Sequence, residues 1–276
     1  MEYSPKIMQD NLDRNNFKFK KNFGQNFIID KNVIDNIITK SGVDGDTLVI
    51  EIGPGAGSLS AGIASKCGNL VCFEIDKTLK PILEENLKEF NNIEIIFEDF
   101  LTADVNEVIK KYNYKKTYVI ANLPYYITTP IITKIIDKKI DVDKVVVMVQ
   151  KEVGDRFKAT PGSKDYSSLS IFLKYYFDVF KILDVSRNVF MPKPNVDSIV
   201  VEFVKTKTKF DVKNEEFFFK LVRDSFTQKR KTLRNNLKAY DLDKISEVLA
   251  KYNFDLSVRA EQLPIEIFID IANTLC

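Results

Sequence analysis

Short apolar runs alternate with longer segments of helical periodicity over the first half of the chain. Five of these runs are nearly continuous in Val, Ile, Leu and Phe, and helix-length segments separate them: TLVIEIG, LVCFEID, IEIIFEDF, TYVIAN and KVVVMVQ. Strands that are buried on both faces and separated by helices are typical of a parallel sheet. The pattern therefore predicts an α/β domain, with a helix over 32–42 that precedes the first strand and ends at Gly42.

Two further strand-like segments differ from the first five. YYFDVFKILDV and DSIVVEFV flank SRNVFMPKPNV, and no helical segment lies between them. Parallel strands need a long crossover connection, whereas antiparallel strands can follow each other directly. These two segments therefore predict an antiparallel pair at the far edge of the sheet.

The strand pattern stops near residue 205. Four segments of helical periodicity follow: NEEFFFKLVRDSF, KRKTLRNNLKAY, LDKISEVLAKY and LPIEIFIDIANTLC, the last with Pro264 in its first turn. Residues 1–16 are polar and aperiodic, which predicts a flexible tail. The predicted organisation is a tail over 1–16, an α/β domain over 17–205 and a small all-α domain over 206–276.

The 276-residue chain contains no histidine, and this narrows the possible chemistry. An imidazole base, a Ser-His-Asp triad and a His-ligated metal are excluded. Cys67, Cys72 and Cys276 have no CxxC spacing, so we expect neither a disulfide framework nor a metal site. The longest apolar run, VVVMV, is too short to cross a bilayer and no signal-peptide pattern is visible, so we expect a cytoplasmic protein.

The charge is unevenly distributed along the chain. The formal net charge is +2, but residues 205–238 contain eleven Lys or Arg and four Asp or Glu, which gives this segment +7 and leaves −5 for the remainder. Such a basic segment favours an anionic partner, while a solvated charged helix face is the alternative explanation.

A glycine-rich turn follows the first predicted strand. In VIEIGPGAG, the glycines at 53, 55 and 57 allow a tight turn and the close approach of a ligand to the backbone. A dinucleotide-binding turn would have its third glycine at position 58, where this chain has Ser58. The GxGxG spacing is typical of S-adenosylmethionine-dependent methyltransferases. Glu74, 21 residues after Gly53, could accept hydrogen bonds from both ribose hydroxyls, and Ile75 beside it is assigned to the same contact set.

Two more candidate residues follow predicted strands. Asp99 could accept a hydrogen bond from an adenine amine and Phe100 could lie against the ring, although Asp99 could also be a turn residue alone. The series Gly53, Glu74, Asp99 and Asn122 places one residue at each of four strand ends. Because the carboxyl ends of parallel strands meet at one edge of a sheet, these residues should converge on one crevice.

The motif NLPYYITTP follows the fourth run. Pro124 favours an extended backbone before it, and the Thr129-Pro130 pair predicts a helix N-cap and first turn, so we expect residues 122–127 to form a fixed loop. The Asn122 amide cannot act as a base, but its oxygen and the backbone carbonyl of Leu123 can accept hydrogen bonds from an amine.

Two acceptors of this kind would favour a pyramidal adenine nitrogen with a localised lone pair, which could attack a sulfonium methyl without a protein base. Tyr125 could stack on one face of the target base and Phe190, from FMPKP, on the other, although an aromatic ring taken alone is more often part of the core than of a site.

Six stretches together resemble the ribosomal RNA small-subunit adenine N6,N6-dimethyltransferase family of the KsgA/RsmA type: KKNFGQNFIID, EIGPGAGSLS, FEID, NLPYYITTP, VFMPKPNVDS and QKRKTLRNNL. The resemblance spans residues 17–270. It implies a class I, Rossmann-like methyltransferase domain with a helical C-terminal domain. It also implies dimethylation of two adjacent adenosines near the 3′ end of small-subunit (16S) rRNA, on a maturing subunit.

The resemblance also implies contacts to the cofactor S-adenosyl-L-methionine. Asn26 and the backbone of Ile28 join the strand-end residues already named as cofactor contacts: Gly53, Gly55, Glu74, Ile75, Asp99, Phe100 and Asn122. Family members often have Leu at position 28 and Asn at position 126, where this chain has Ile28 and Tyr126. Neither change involves the pair of acceptors, so we expect the same reaction.

Basic residues in the first and last of the six stretches are predicted to contact RNA phosphates. Such contacts contribute affinity but do not distinguish one RNA sequence from another. The residues are Lys20, Lys21, Lys229, Arg230, Lys231 and Arg234. We expect the protein to be a monomer.

Three alternatives remain open. The erythromycin-resistance methyltransferases resemble this family in fold but modify large-subunit rRNA; they more often have Ile where this chain has Leu123, and they lack the FMPKPNVDS pattern. A ribosome-assembly factor could use the same fold to sense subunit maturity, alone or together with catalysis. An oxidoreductase is disfavoured by Ser58 and by the absence of histidine.

Overall fold

The computed structural model describes residues 5–15, 17–20, 24–124 and 127–276. Contacts divide the chain into two compact units. The first contains the described residues up to Gly154 together with Phe180–Val204, and the second contains Asp155–Val179 and Lys205–Cys276.

The first unit is built on a central sheet of seven strands in the order β4-β3-β2-β5-β6-β9-β7. The five apolar runs form its parallel strands: β2 Thr47–Ile52, β3 Asn69–Phe73, β4 Ile93–Ile96, β5 Lys116–Asn122 and β6 Lys144–Gln150. β2 is buried along its whole length, as expected for a strand covered on both faces. The predicted α/β class is confirmed.

The last two strands lie together at one edge of the sheet, as predicted. They are β7 Phe177–Val185 and β9 Ser198–Lys205. β9 pairs antiparallel with β6, with Val147 opposite Val201.

Helices connect the strands of the first unit: α1 Pro5–Arg14, α2 Lys31–Ser41, α3 Ser58–Ala64, α4 Lys80–Leu87, α5 Val105–Ile109, α6 Thr128–Asp137 and α7 Lys151–Phe157, which continues into the second unit. α2 ends where the sequence predicts, because Gly42 adopts a left-handed conformation with φ of 71° as its C-cap.

The strand order explains why the polar strand ends converge. From β2 the chain proceeds outward through β3 and β4, then returns to the other side of β2 with β5. This reversal leaves a crevice at the carboxyl ends of β2 and β5, the usual ligand site of open α/β sheets.

A second, two-stranded sheet was not predicted. β1 Phe27–Ile28 pairs antiparallel with β8 Phe190–Met191, with Ile28 opposite Phe190. Two-residue strands leave little periodicity in a sequence, and their pairing joins segments that are more than 160 positions apart.

The N-terminal segment differs from the predicted flexible tail, because α1 packs on the first unit. Leu12 is buried in a cluster with Leu79 and Leu83. The side chain of Asn11 donates a hydrogen bond of 2.7 Å to Asn86 Oδ1. Residues 5–14 thus form a helix that buries Leu12, which the polar composition of the segment does not indicate.

The second unit is helical, and it begins earlier than the predicted boundary. It contains α8 Ser168–Tyr176, α9 Glu215–Ser225, α10 Leu233–Asn236, α11 Leu242–Lys251 and α12 Ile265–Leu275. α8 precedes β7 in the chain, yet its Phe172 ring lies edge-on against Phe219 of α9 at 5.0 Å between centroids. Its apolar face is thus buried among the C-terminal helices.

The basic segment KRKTLRNNLKAY is mostly non-helical, contrary to the prediction. Only α10 forms within it, because backbone groups bond to a distant segment instead. Leu233 N donates to Val258 O at 2.9 Å and Arg234 N donates to Leu256 O at 3.1 Å. These contacts leave residues 229–231 in turns before the helix.

No helix within the described ranges is long and apolar enough to cross a membrane.

Candidate active site

A cavity of about 320 Å³ opens at the carboxyl ends of the strands in the first unit. Its lining includes ten of the residues predicted to act in binding or catalysis: Asn26, Ile28, Gly53, Gly55, Glu74, Ile75, Asp99, Phe100, Asn122 and Leu123. A volume of this size lies at the lower end of the range for small-molecule sites.

The glycine-rich turn forms one wall of the cavity, and its backbone requires glycine. Gly53, Gly55 and Gly57 have φ values of 69°, 59° and 85°, a conformation that other residues adopt at a cost. A Cβ atom at position 55 would lie 2.7 Å from a ring carbon of Phe27. Gly55 therefore permits both the turn and the close packing of the N-terminal segment on it.

Glu74, at the end of β3, connects this turn to the next loop. Its carboxylate accepts hydrogen bonds from Gly55 N at 3.3 Å and from Asp76 N at 2.8 Å. The residue is 5% exposed, and burial raises the pKa of Glu74 to about 7. A carboxylate oxygen can accept more than one hydrogen bond, so Glu74 retains capacity for ligand hydroxyls.

A second buried carboxyl, Glu51, lies in the lining and was missed by sequence reasoning. Burial raises the pKa of Glu51 to about 7, a hydrogen bond from Cys72 opposes this rise, and the charge of Glu74 adds to it. Cys72 Sγ lies 3.4 Å from Glu51 Oε2. The sequence did contain a feature that could have identified Glu51, because it is an acidic residue inside an otherwise continuous apolar run. A buried acidic residue is rare unless it has a specific partner or role.

Both raised pKa values predict how the stability of the ligand-free protein depends on pH. The pKa of each carboxyl is higher in the folded state than in the unfolded chain, so the folded state binds protons more tightly and stability falls as pH rises from about 4.5 to about 7. Glu51→Gln should remove part of this fall and raise the free energy of unfolding at pH 8 by up to about 3 kcal/mol. Urea denaturation at pH 5 and pH 8 measures the free energy of unfolding of both proteins. If its pH dependence is the same in Glu51→Gln as in the wild type, the pKa of Glu51 is not raised.

Asn122 is held in one orientation at the end of β5. Its Nδ2 donates a hydrogen bond of 2.8 Å to the backbone oxygen of Asn26. This anchors the amide through its nitrogen and leaves Oδ1 as the acceptor. Leu123 N donates to Met148 O of β6 at 3.1 Å, which fixes the adjacent peptide on the sheet.

The helix after this motif begins slightly earlier than predicted. α6 starts at Thr128, and its N-cap is Ile127 rather than Thr129. Pro130 is still tolerated, because it lies in the first turn, where backbone N–H groups have no partner within the helix. The predicted stacking residue Tyr125 and its neighbour Tyr126 lie outside the described residues.

Asp99 and Phe100 form the opposite wall. One oxygen of Asp99 accepts a hydrogen bond of 2.8 Å from Leu101 N, so Asp99 also stabilises its own turn. Phe100 is buried, and its ring lies edge-on against Phe73 at 5.5 Å between centroids. Lys134 Nζ donates to the backbone oxygens of Phe100 and, at 2.6 Å, Ala103, which holds this loop against α6.

Two predicted site residues are placed elsewhere in the fold. Phe190 is 4% exposed and packs in a core cluster with Val185 and Val200, because its pairing with Ile28 turns it into the core. Its stacking on a target base stays a prediction. Lys20 forms an ion pair with the buried carboxylate of Asp76 at 2.7 Å, so its charge is compensated within the protein. Lys21 lies outside the described residues.

The four C-terminal basic residues are exposed: Lys229, Arg230, Lys231 and Arg234. Lys229 Nζ also donates a hydrogen bond to the backbone oxygen of Lys164. The described ranges contain no cluster of acidic or cysteine residues that could hold a metal ion.

The cavity offers polar groups that suit a nucleoside cofactor. Glu74 and Asp99 supply carboxylate oxygens at two separate strand ends. Ser58 Oγ, in the same lining, is buried and has no hydrogen-bond partner among the residues that the structure describes. A buried hydroxyl without a partner is costly, and a polar ligand group would satisfy it.

Comparisons with known proteins agree with this assignment. The model of the ribosomal RNA adenine dimethylase family matches residues 16–276. Two relatives are named ribosomal RNA small subunit methyltransferase A. The one from Oceanobacillus iheyensis is 42% identical over 98% of this chain and 95% of that protein, and the one from Bacillus mycoides is 43% identical over 99% and 96%.

Solved structures support the fold. A dimethyladenosine transferase from Plasmodium falciparum has a TM-score of 0.73 at 24% identity, with 89% of this chain and 95% of that chain covered. The 23S rRNA methyltransferase ErmE has a TM-score of 0.68 at 22% identity, with 90% and 99% covered. These likenesses confirm the predicted class I methyltransferase fold. The family match confirms S-adenosyl-L-methionine as the cofactor. The family match over almost the whole chain leads to one conclusion: the protein belongs to the ribosomal RNA adenine dimethylase family.

Proposed function

We propose that this protein dimethylates the exocyclic amines of two adjacent adenosines near the 3′ end of small-subunit rRNA, and that it acts as a monomer on the maturing subunit in the cytoplasm. The observation that carries the proposal is the Asn122 amide, anchored through its nitrogen by Asn26 O and therefore presenting its oxygen as an acceptor. The relatives that share 42–43% of their residues with this chain carry the name of a small-subunit enzyme.

The chemistry requires acceptors rather than a base. When bound, S-adenosylmethionine supplies a methyl group on a sulfonium sulfur. Asn122 Oδ1 and the Leu123 carbonyl accept the two hydrogens of the adenine amine, which localises the nitrogen lone pair. The amine nitrogen would bond to the methyl carbon as the bond from that carbon to the sulfonium sulfur breaks, and the resulting cationic nitrogen is acidic enough to release its proton to water. In the second transfer the amine has one hydrogen left, which one of the two acceptors can hold, so neither transfer needs a histidine.

Each part of the cofactor has a proposed partner among the residues that line the cavity. The Glu74 carboxylate accepts from the ribose hydroxyls, and Asp99 accepts from the adenine amine beside Phe100. Ile75 contacts the adenine from the other side of the pocket. Asn26, the Ile28 backbone and the glycine turn at Gly53 and Gly55 enclose the remainder. In this role the half-exposed side chain of Ile75 becomes covered when the cofactor binds.

Transfer of labelled methyl groups to different substrates tests the proposal. Wild-type protein is incubated with labelled S-adenosylmethionine and either unmethylated small subunits, large-subunit rRNA or a short adenine-containing oligonucleotide. Label confined to small-subunit rRNA supports the proposal. Label in the large-subunit rRNA would contradict it and would indicate a 23S rRNA methyltransferase, the activity in the name of ErmE. Cofactor binding without any labelling would favour a role in subunit assembly alone.

The exposed basic residues before α10 are proposed to contact RNA phosphates. Reversing Lys229, Arg230 and Lys231 to Glu should lower RNA affinity roughly ten- to a hundredfold and flatten its dependence on salt, because each lost phosphate contact removes about 0.9 from the slope of log K against log salt. Filter binding from 50 to 300 mM KCl measures both. Lys251→Glu, an exposed charge reversal on α11, is the control; a salt slope that stays the same in the triple variant would exclude the assignment.

A further inference from the structure

The carboxylate of Asp76 is buried, and it joins three segments of the first unit. Its side chain is 1% exposed. Oδ1 accepts hydrogen bonds from Lys20 Nζ at 2.7 Å, Thr78 N at 3.0 Å and Thr78 Oγ1 at 2.6 Å, and Oδ2 accepts from Gln25 Nε2 at 2.9 Å. Two donors of this network thus come from positions more than fifty residues away in the chain.

Those two distant donors hold the segment that covers one side of the cavity. Residues 24–28, which we call the strap, all line the cavity. Gln25 uses both ends of its amide, because its oxygen accepts from Lys20 N at 2.8 Å while its nitrogen donates to Asp76. The strap is therefore tied at Gln25 to the loop that follows β3.

The same residue also reaches the cofactor carboxylate. Asp76 N donates to Glu74 Oε1 at 2.8 Å, so one residue orients Glu74 through its backbone and the strap through its side chain. The next strap residue, Asn26, accepts the hydrogen bond from Asn122. A continuous chain of contacts thus connects the cofactor carboxylate, the strap and the catalytic amide.

The two ends of the strap are held by different forces. Phe27 packs against Phe17 and Phe19, with ring centroids 6.0 Å and 5.3 Å away, and lies against the Gly55 turn. At the end near Gly24 and Gln25, the contacts that the structure describes are the hydrogen bonds of the polar network. A buried carboxylate that loses its cationic partner becomes destabilised, so removal of Lys20 should weaken this end in particular.

From these contacts we infer that Asp76 is a positioning residue, which uses Lys20 and Gln25 to hold the strap closed over the bound cofactor while it orients Glu74. The inference rests on the proposed assignment of the cavity as the cofactor site. It also gives Lys20 a role different from the phosphate contact expected from the sequence. Dissociation of the cofactor then requires the network to open.

Replacing Lys20 by Met tests this role with S-adenosylhomocysteine as the probe. We expect its dissociation rate to rise about tenfold and the KM for S-adenosylmethionine to rise in parallel, with kcat at saturation changed less than threefold. Amide hydrogen exchange in residues 24–28 of the complex should accelerate. Lys20→Arg, which keeps a cation within reach of Asp76, should restore most of the residence time.

Three further variants make the result specific. Lys18→Met removes an exposed charge from the same segment and should behave as wild type. Gln25→Ala removes the second tie without leaving the carboxylate unpaired, and it should also shorten the residence time. Glu74→Gln tests the cavity itself and should lose affinity whether or not the strap has this role.

Two results would overturn the inference. If Lys20→Met and Gln25→Ala retain the wild-type residence time while Lys20→Met weakens RNA binding and its salt dependence, Lys20 is a phosphate contact and Asp76 a structural residue only. If Glu74→Gln also leaves S-adenosylhomocysteine affinity unchanged, the cofactor site itself has been assigned wrongly. The two failures are therefore distinguishable.

Discussion

Replacing Asn122 by Ala should lower kcat for methyl transfer by about two to three orders of magnitude, the usual effect of removing one preorganised polar group from a transition-state site. The wild-type amide is fixed by its bond to Asn26 O, so its oxygen needs no reorientation when the target amine arrives. Alanine removes the acceptor and also the tie to the strap. Small-subunit RNA binding should remain, because phosphate contacts supply most of its affinity.

Single-turnover transfer with saturating enzyme and cofactor isolates this effect from binding. Asn36→Ala is a matched control, since Asn36 lies on α2 and its amide also donates to a backbone oxygen, that of Asn32, at 2.8 Å. Asn122→Asp keeps the shape but places a carboxylate against the Asn26 carbonyl, so it should not rescue the reaction. Retention of near-wild-type transfer by Asn122→Ala would contradict the mechanism, whereas loss of transfer with intact RNA binding would separate catalysis from a role in subunit assembly.

Replacing Glu74 by Gln should raise the Kd for S-adenosylhomocysteine about a hundredfold, a loss of about 2.7 kcal/mol. Two backbone N–H groups, those of Gly55 and Asp76, point at the carboxylate. In the variant, an NH2 group replaces one carboxylate oxygen and would lie against a backbone N–H group, so that two donors face each other. The side chain would also accept fewer hydrogen bonds from the ribose hydroxyls. The change preserves side-chain volume, so the fold should be retained.

The pH dependence of cofactor affinity provides a second readout at Glu74. Burial raises the pKa of Glu74 to about 7 in the ligand-free protein, and hydroxyl donors favour its ionised form. Affinity in the wild type should therefore rise with pH up to about 7 and then level off, and Glu74→Gln should weaken this rise. Isothermal titration between pH 5.5 and 8.5 measures it. Glu84→Gln, an exposed carboxylate on α4, is the control, and a wild-type pH profile in Glu74→Gln would exclude the ribose assignment.

Four of the predicted residues in the cavity lie at or just beyond the ends of parallel strands. Gly53, Glu74, Asp99 and Asn122 follow runs of β-branched and apolar residues, and the sheet geometry then brings them to one edge. A local pattern and a general rule of α/β folds are sufficient for this inference.

The parts that the sequence did not predict depend on contacts between distant segments. The hydrogen bond between Lys20 and Asp76 joins positions 56 apart in the chain. The residues next to Lys20 and Asp76 in the sequence do not show whether the lysine contacts RNA or pairs with a buried carboxylate. The sequence did not predict the pairing of Phe190 with Ile28 or its burial in a core cluster. α8 lies within the range predicted for the α/β domain but belongs to the second unit, because its own periodicity does not reveal which helices cover it.

Mass spectrometry of nucleosides from small-subunit rRNA, after incubation of unmethylated subunits with the protein and S-adenosylmethionine, decides whether Asn122 is needed to dimethylate two adjacent adenosines. We expect two N6,N6-dimethyladenosines per subunit in adjacent positions near the 3′ end with the wild type, and none above background with Asn122→Ala. Methylation of another nucleoside, or dimethyladenosine at the wild-type level with Asn122→Ala, would contradict it.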